Sequence, residues 1–267
     1  MTGEEWVTLP EGRLRVLRRG EGPARVFLPS LGGSIELYAA LVDRLARTSA
    51  LVVVEPFGAG ASDEPEGLPS TRDLAEDVAG ALDALSVDRF HLVGLSLGGM
   101  IAQHLAGLRP GRVRSLALAS TTPRGLRGVL AGDVRNAAMA RCLLAPDGEG
   151  ATVCIVEDML DGRASPSMES RVEEAIHEHP VSRAALMRLG AAAARHDGRD
   201  ALRIYAGPAR VLSGGLDGIL PPDAQAESLE LLDDARQVRF PNVGHDLALE
   251  VPDELARECD ALMAEAG

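Results

Sequence analysis

Gly94-Leu95-Ser96-Leu97-Gly98-Gly99 is the stretch on which the reading of this chain turns. Phe90-His91-Leu92-Val93 before it has the apolar character of a buried strand, and Met100-Ile101-Ala102-Gln103-His104-Leu105-Ala106 after it reads as a helix. A serine flanked by Gly94 and Gly98 in so abrupt a turn is held in strained backbone geometry, because side chains at those two positions would collide across it. Its hydroxyl then projects from the top of the sheet at the positive end of the following helix, where a developing anion is favoured. G-x-S-x-G also arises by chance in a chain with 29 glycines. The strand, turn and helix around it are what make Ser96 a candidate nucleophile.

Working outward, Trp6-Val7-Thr8-Leu9, a turn at Pro10-Glu11-Gly12 and Leu14-Arg15-Val16-Leu17 read as a β-hairpin. Val26-Phe27-Leu28 is a short buried strand that runs into Pro29-Ser30-Leu31-Gly32-Gly33-Ser34. Ser34 is placed to cap a helix carrying Leu37, Leu41 and Leu45 at four-residue intervals, with Tyr38 and Val42 beside them. Leu51-Val52-Val53-Val54 has the continuous apolar run of a strand buried on both faces. After the turn residues 55–63, Thr71 to Leu85 is an amphipathic helix, with Ser70 or Thr71 at its start. Val113 to Ala119 supplies the strand beyond the Ser96 helix. Strands alternating with helices at this spacing specify a mostly parallel sheet with helices on both faces, whose reactive groups gather at the carboxyl ends of the strands.

From about Pro123 to Gly207 the pattern becomes helical, with segments around Met139, Leu143 and Leu144, at Val153 to Leu160, at Met168 to His177 and at Ser182 to Ala194. A connection this long without structure of its own is uncommon, so residues 123–207 read as a helical cap inserted into a core made of 1–122 and 208–267. The sheet resumes at Ala209 to Ser213 and Gln237 to Phe240, with helices at Ala224 to Leu232 and from Pro252 to about Ala264.

The chain has 267 residues, 46% of them hydrophobic and 25% charged, which suits one large globular unit with an insertion. A net charge of −13 without a Lys/Arg-rich stripe excludes nucleic acid as a partner and gives no attraction to anionic lipid. Cys142, Cys154 and Cys259 are odd in number and lack CxxC spacing. They fit a reducing compartment, with Cys142 and Cys154 packed as small apolar residues. The acidic start, Met1-Thr2-Gly3-Glu4-Glu5, and the lack of a membrane-length apolar run lead to the expectation of a cytoplasmic enzyme. Oligomeric state is not readable.

A serine hydroxyl is a poor nucleophile at neutral pH and needs a base within hydrogen-bond reach, itself oriented by a carboxylate. Both partners are expected at later strand ends, where Asp217 follows the Ala209 strand and His245 follows the Gln237 strand. Asp217 is the one carboxylate of its loop, Gly214-Gly215-Leu216-Asp217-Gly218-Ile219-Leu220-Pro221-Pro222, whereas Asp246 reads as a supporting or surface residue. His91 and His104 read as packed side chains, and His177-Glu178-His179 lacks a further ligand at metal-site spacing, so no metal is expected.

Across nearly its whole length the chain resembles the α/β-hydrolase superfamily. The resemblance rests on Leu28 to Ser34, the Gly58 to Asp63 turn, Gly94 to Gly99, Gly214 to Pro222 and Asn242-Val243-Gly244-His245, in the chain order Ser, Asp, His. It implies an α/β-hydrolase fold with Ser96 as nucleophile, His245 as general base and acid, and Asp217 as the orienting acid. It also implies an oxyanion hole of the Leu31 and Leu97 backbone N–H groups. Two departures stand out: Pro29-Ser30 replaces a common His-Gly, and Phe57 and Ala59 replace a common arginine and histidine. Ser96 separates the chain from the haloalkane dehalogenases and epoxide hydrolases, which carry aspartate there, and Pro29-Ser30-Leu31-Gly32-Gly33 is similar to the Asn-Ser-Leu-Gly segment of 3-oxoadipate enol-lactonases.

The function implied is a serine hydrolase acting on a small or medium carboxylic ester, lactone or thioester, with no cofactor. Acyl transfer to another acceptor, biosynthetic tailoring, carbon–carbon hydrolysis and cofactor-free peroxide chemistry run on the same triad, and a non-catalytic ligand-binding protein of this fold is the reading of another class. Met139, Leu143, Met159 and Met187 are the expected apolar lining of the substrate pocket.

Overall fold

Alternation with a period of two decides which helix layer each strand residue meets. A computed structural model describes residues 3–125, 142 and 145–267. Eight strands, β1 (Gly3–Leu9), β2 (Gly12–Arg19), β3 (Ala24–Leu28), β4 (Ala50–Val54), β5 (Phe90–Leu95), β6 (Val113–Ala119), β7 (Ala209–Gly214) and β8 (Ala235–Phe240), form one sheet in the order β1-β2-β4-β3-β5-β6-β7-β8. β1 and β2 make the expected antiparallel hairpin, β2 meets β4 antiparallel, and every pairing from β4 to β8 is parallel.

Phe27, Val53, Val93 and Ala117 face α1 (Ala39–Leu45) and the last helix, α10 (Pro252–Ala266), and close a core with Leu41, Leu45, Leu255 and Leu262. Val26, Leu28, Leu92 and Leu116 face the other way, onto Leu74, Val78 and Leu82 of α2 (Thr71–Ala84) and Ile101 and Leu105 of α3 (Leu97–Leu108). The fold is therefore an α/β-hydrolase fold with helices on both faces, as the sequence implies. The strand order reverses between β3 and β5, since β3 pairs β4 on one side and β5 on the other. In such sheets that switch is where a crevice opens outside the strands' carboxyl ends. The loop after β3 and the serine after β5 both stand there.

Between β6 and β7 the described residues carry α4 (Gly148–Leu160), α5 (Pro166–Glu178), α6 (Arg183–Arg195) and α7 (Arg199–Ile204) and no strand; α8 (Pro222–Leu231) and the one-turn α9 (Leu247–Glu250) follow in the second part of the sheet. Asp147, Ser165 and Ser182 cap α4, α5 and α6, each accepting a backbone N–H from the first turn. The segment expected around Met139, Leu143 and Leu144 lies outside the described residues.

Two expectations are corrected and a third, the supporting-or-surface reading of Asp246, is narrowed to its first alternative. Ser34 does not start α1, because its hydroxyl accepts Leu37 N–H at 3.1 Å and closes a separate turn, and the helix begins at Ala39. Cys142 and Cys154 are not isolated apolar thiols: their Cα atoms lie 5.3 Å apart and a disulfide joins them, which is at odds with the reducing compartment read from the cysteine count. Only Cys259 is a free, buried thiol. Asp246 is no surface residue and is 1% exposed. Phe57 and Ala59 are buried, so the turn that lacks the usual arginine and histidine packs as apolar structure. Its anchor is the buried carboxylate of Glu55, which accepts Ile35 N–H and Ala61 N–H at 2.8 Å each and an Arg15 Nη1 donor at 3.3 Å. Among the described residues, no helix is long and apolar enough to cross a membrane.

Candidate active site

Ser96 sits at φ +53° and ψ −114°, between the last residue of β5 and the first of α3. A non-glycine residue with positive φ is held there by its surroundings. Ser96 N–H donates to Ala119 O at 2.9 Å, and Ser96 O accepts Thr121 Oγ1 at 2.9 Å and Met100 N–H at 3.1 Å. The two flanking glycines have separate reasons. A Cβ on Gly94 would fall 2.5 Å from Gly98 O within the turn, whereas one on Gly98 would fall 2.1 Å from Leu28 O, at the end of β3. Gly98 thus lets the first turn of α3 lie against the loop after β3.

The two expected N–H donors belong to the elements that meet at this contact. Leu97 is the first residue of α3, where backbone N–H groups have no partner within the helix. Leu31 is the second residue of a turn closed by Gly33 N–H to Ser30 O at 3.0 Å, with Gly32 at φ +70°. The closing bond leaves Leu31 N–H outside it. Pro29 has no N–H, and Leu31 is the donor position this loop offers.

The Ser96 hydroxyl is 2.9 Å from His245 Nε2, and His245 Nδ1 is 2.9 Å from Asp217 Oδ2. Two close approaches bring these loops together. A Cβ on Gly214 would fall 1.8 Å from Gly244 O, and one on Gly215 would fall 2.5 Å from Pro241 O. Asp217 Oδ1 accepts Ile219 N–H at 3.0 Å and Leu220 N–H at 2.8 Å, and Oδ2 accepts Gln225 Nε2 at 2.9 Å besides His245. Burial works against protonating His245, but the charge and hydrogen bond of Asp217, with Asp246 and Glu250 beyond, outweigh it and raise the imidazole above its ordinary value. Burial pushes the neighbouring Asp246 carboxyl up to about 6.

The segment after α4 also reaches the histidine loop. Met159 O accepts His245 N–H at 3.4 Å and Arg163 Nη2 at 3.2 Å, while Arg163 Nε donates to Glu250 Oε2 at 2.8 Å. Glu250 in turn accepts Gly244 N–H at 3.0 Å. A Cβ on Gly244 would overlap the Arg163 guanidinium at 1.5 Å. Of the expected pocket residues, Met159 is buried beside His245 and Met187 is 53% exposed on the solvent side of α6, where Leu186 and Leu189 face inward. Met139 and Leu143 lie outside the described residues.

Gln225, Tyr38, Arg163 and Glu250 were not singled out in the sequence. Tyr38 and Arg163 act on loops far away in the chain, Gln225 on its own loop, and no spacing marks any of the four. His91 bonds Ser115 Oγ at 2.8 Å, and His177 and His179 turn to different partners, Glu149 at 3.2 Å and Glu36 at 3.6 Å.

The family model of the alpha/beta hydrolase fold matches residues 23–252. The chain belongs to the α/β-hydrolase fold family. It is 31% identical over 242 residues to a pimeloyl-[acyl-carrier protein] methyl ester esterase of Chromobacterium violaceum, covering 85% of this chain and 88% of the relative. It is 28% identical over 250 residues, 91% of its length, to the dihydrolipoyllysine-residue acetyltransferase component of an acetoin cleaving system from Pseudomonas putida, of which the match spans 64%. Among solved structures, a hydrolase from Pseudomonas aeruginosa superposes with a TM-score of 0.84 at 25% identity, covering 98% of each chain. An enol-lactonase from Burkholderia xenovorans shares the fold with a TM-score of 0.84 at 21% identity, over 97% of this chain and all of that one. This α/β-hydrolase thus has relatives named as esterases and hydrolases.

Proposed function

We propose that this α/β-hydrolase cleaves a small or medium carboxylic ester, lactone or thioester through an acyl-enzyme on Ser96. The observation that carries the reading is the continuous chain from Ser96 through His245 to Asp217, at 2.9 Å for each link. Ser96 Oγ attacks the acyl carbon while its proton passes to His245 Nε2. The carbonyl oxygen becomes an oxyanion facing the Leu31 and Leu97 N–H groups. As the bond to the leaving group breaks, His245 returns the proton to the departing alcohol or thiol. A water then loses its proton to His245 and attacks the acyl carbon, and the acid leaves with Ser96 restored. Asp217 keeps Nδ1 protonated and favours the imidazolium in both steps.

Residues 123–207 form the cap in this reading and supply the roof of the acyl pocket. Its support is the packing over the oxyanion loop, since a Cβ on Gly32 would meet Leu186 Cδ2 of α6 at 3.0 Å and Thr152 Cγ2 of α4 at 3.4 Å. The test is hydrolysis of p-nitrophenyl esters from acetate to decanoate by the wild type and Ser96→Ala side by side. A chain-length optimum that falls about a millionfold in kcat in the variant is expected. Equal turnover by the two proteins would overturn the assignment. The likeness to an acetyltransferase component favours a second reading, in which an alcohol or thiol replaces water as acceptor, and product analysis with competing alcohols separates the two.

A further inference from the structure

The residue after His245, Asp246, is a second buried carboxylate. Its Oδ2 accepts the Tyr38 hydroxyl at 2.9 Å, and its Oδ1 accepts Leu249 N–H at 3.1 Å. Tyr38 is fully buried, and its hydroxyl is also 2.5 Å from Ser30 Oγ. A carboxylate only accepts, so the Tyr38 proton is committed to Asp246, and Ser30 must donate to the Tyr38 oxygen. The chain of bonds therefore has one direction, Ser30 to Tyr38 to Asp246. It begins at the residue that opens the oxyanion turn and ends at the residue after the base.

Tyr38 holds that turn by its ring as well. A Cβ on Gly33 would fall 2.6 Å from Tyr38 Cε2, so the ring edge occupies the space beside the turn's closing residue. The groups that face Asp246 are Tyr38 from before α1, His245 in its own loop and Glu250 of α9, the last paired with Arg163 from beyond α4. Among the described residues, none of the groups acting on it is a permanent cation. A buried carboxylate in that setting is costly to keep, and beyond capping α9 through Leu249 N–H it serves the Tyr38 hydroxyl.

We propose that Asp246 is a positioning residue that works through Tyr38 and Ser30 to fix the Leu31 N–H of the oxyanion loop, while its charge supports the imidazolium of His245. The proposal rests on the serine-hydrolase reading above. It couples the two halves of the transition state: the donor that meets the oxyanion, and the base that takes the proton. An asparagine at position 246 whose oxygen keeps the Leu249 N–H would turn its NH2 toward Tyr38, reversing the direction of that bond and changing how Ser30 is held.

Three measurements test it: the second-order rate at which a fluorophosphonate labels Ser96 as a function of pH, the kcat and KM for a p-nitrophenyl ester, and the imidazole titration of His245 followed by NMR. Tyr38→Phe keeps the ring and removes the hydroxyl. It is expected to lower the labelling rate and kcat on the order of tenfold, with KM and Tm nearly unchanged. Asp246→Asn keeps the volume and removes the charge. It is expected to move the His245 titration, and the acid limb of labelling with it, down by about half to one pH unit. Folded variants with wild-type labelling rates and an unmoved imidazole titration would overturn the proposal. If the wild type labels no better than Ser96→Ala, the hydrolase reading fails, and the imidazole titration in Asp246→Asn still decides the link between Asp246 and His245.

Discussion

His245 and His196 are both buried with both ring nitrogens hydrogen-bonded, yet their surroundings drive them in opposite directions. His245 stands between Ser96 and the carboxylate of Asp217 and is raised above the ordinary histidine value. His196 stands between Thr71 Oγ1 at 2.8 Å and Gln103 Oε1 at 3.1 Å, both neutral, and is pushed down to about 3 by burial and by His104 beside it. Burial is common to the two; what separates them is whether a carboxylate is there to meet the cation. In the proposed reaction the first takes up a proton during turnover, whereas the surroundings of the second refuse one.

The tautomer of His196 follows from its partners. Gln103 Nε2 donates to Thr122 O at 3.2 Å, which leaves Gln103 Oε1 as an acceptor. His196 Nε2 therefore carries the proton, and the bare Nδ1 accepts from Thr71. Here the stretch leaving β6 crosses beside the stretch leaving α6, with Gly198 N–H donating to Pro123 O at 2.9 Å. His196 thus joins α2, α3 and both crossings in one neutral cluster.

The sharpest way to break the contrast is to make His245 resemble His196. Asp217→Asn removes the charge and lets the imidazole adopt the wrong tautomer, while the Ile219 and Leu220 N–H groups still meet the amide oxygen and hold the side chain. Turnover of a p-nitrophenyl ester should fall by about 10⁴ in kcat with the protein still folded. A loss of only a few-fold would show that Asp217 does not orient the base.

The reverse experiment concerns stability. The folded value of His196 lies below the unfolded one near 6.5, so its contribution is complete above pH 6.5 and is lost as pH falls toward 3. Within that window one proton corresponds to about 1.4 kcal/mol per pH unit. His91, pushed down to about 4 by burial, then by Arg114 and Arg25, adds to the same loss. Asp246 at about 6 and Glu55 at about 7 act in the opposite sense, gaining stability as they protonate. His196→Gln keeps a donor toward Gln103 and cannot titrate. Its unfolding free energy should therefore fall less steeply than the wild type's between pH 6.5 and 4.5, by roughly 2 kcal/mol over the interval. Parallel stability curves would show that His196 titrates in the folded protein as it does in the unfolded chain.

Legibility in the sequence divides along a related line. Ser96, Asp217 and His245 each follow a strand beside glycines, so a local pattern gives their place and the sheet brings them together. The places of Leu31 and Leu97 beside the β3 and β5 strand ends were legible for the same reason, being fixed by backbone rather than by reach. His196 offered no such mark: it ends a helix in a segment whose register against α2 and α3 is set only on folding. Tyr38 and Asp246 are 208 residues apart, and the Cys142–Cys154 pair joins two cysteines whose separation of 12 residues matches no motif spacing. Side-chain reach between distant loops leaves no periodicity behind.

The smallest effect expected tests whether His245 owes its position to the core alone. Arg163 fills the space over Gly244 and fixes Glu250, whose carboxylate accepts the Gly244 N–H one residue before the base. Glu250 is itself 7% exposed, so losing Arg163 leaves a nearly buried carboxylate with one backbone donor in place of a cation. Partly exposed ion pairs contribute about 1 kcal/mol, and that much displacement of the histidine loop corresponds to roughly fivefold in the rate of Ser96 labelling by a fluorophosphonate. Arg163→Met keeps much of the apolar stem over the loop and removes the charge, so the fivefold loss reports the ion pair and not the packing. If the rate in Arg163→Met matches the wild type, His245 is held by Asp217 and the strand ends without help from α4. A loss approaching that of Asp217→Asn would mean that the segment between β6 and β7 does as much to aim the base as the carboxylate bonded to it.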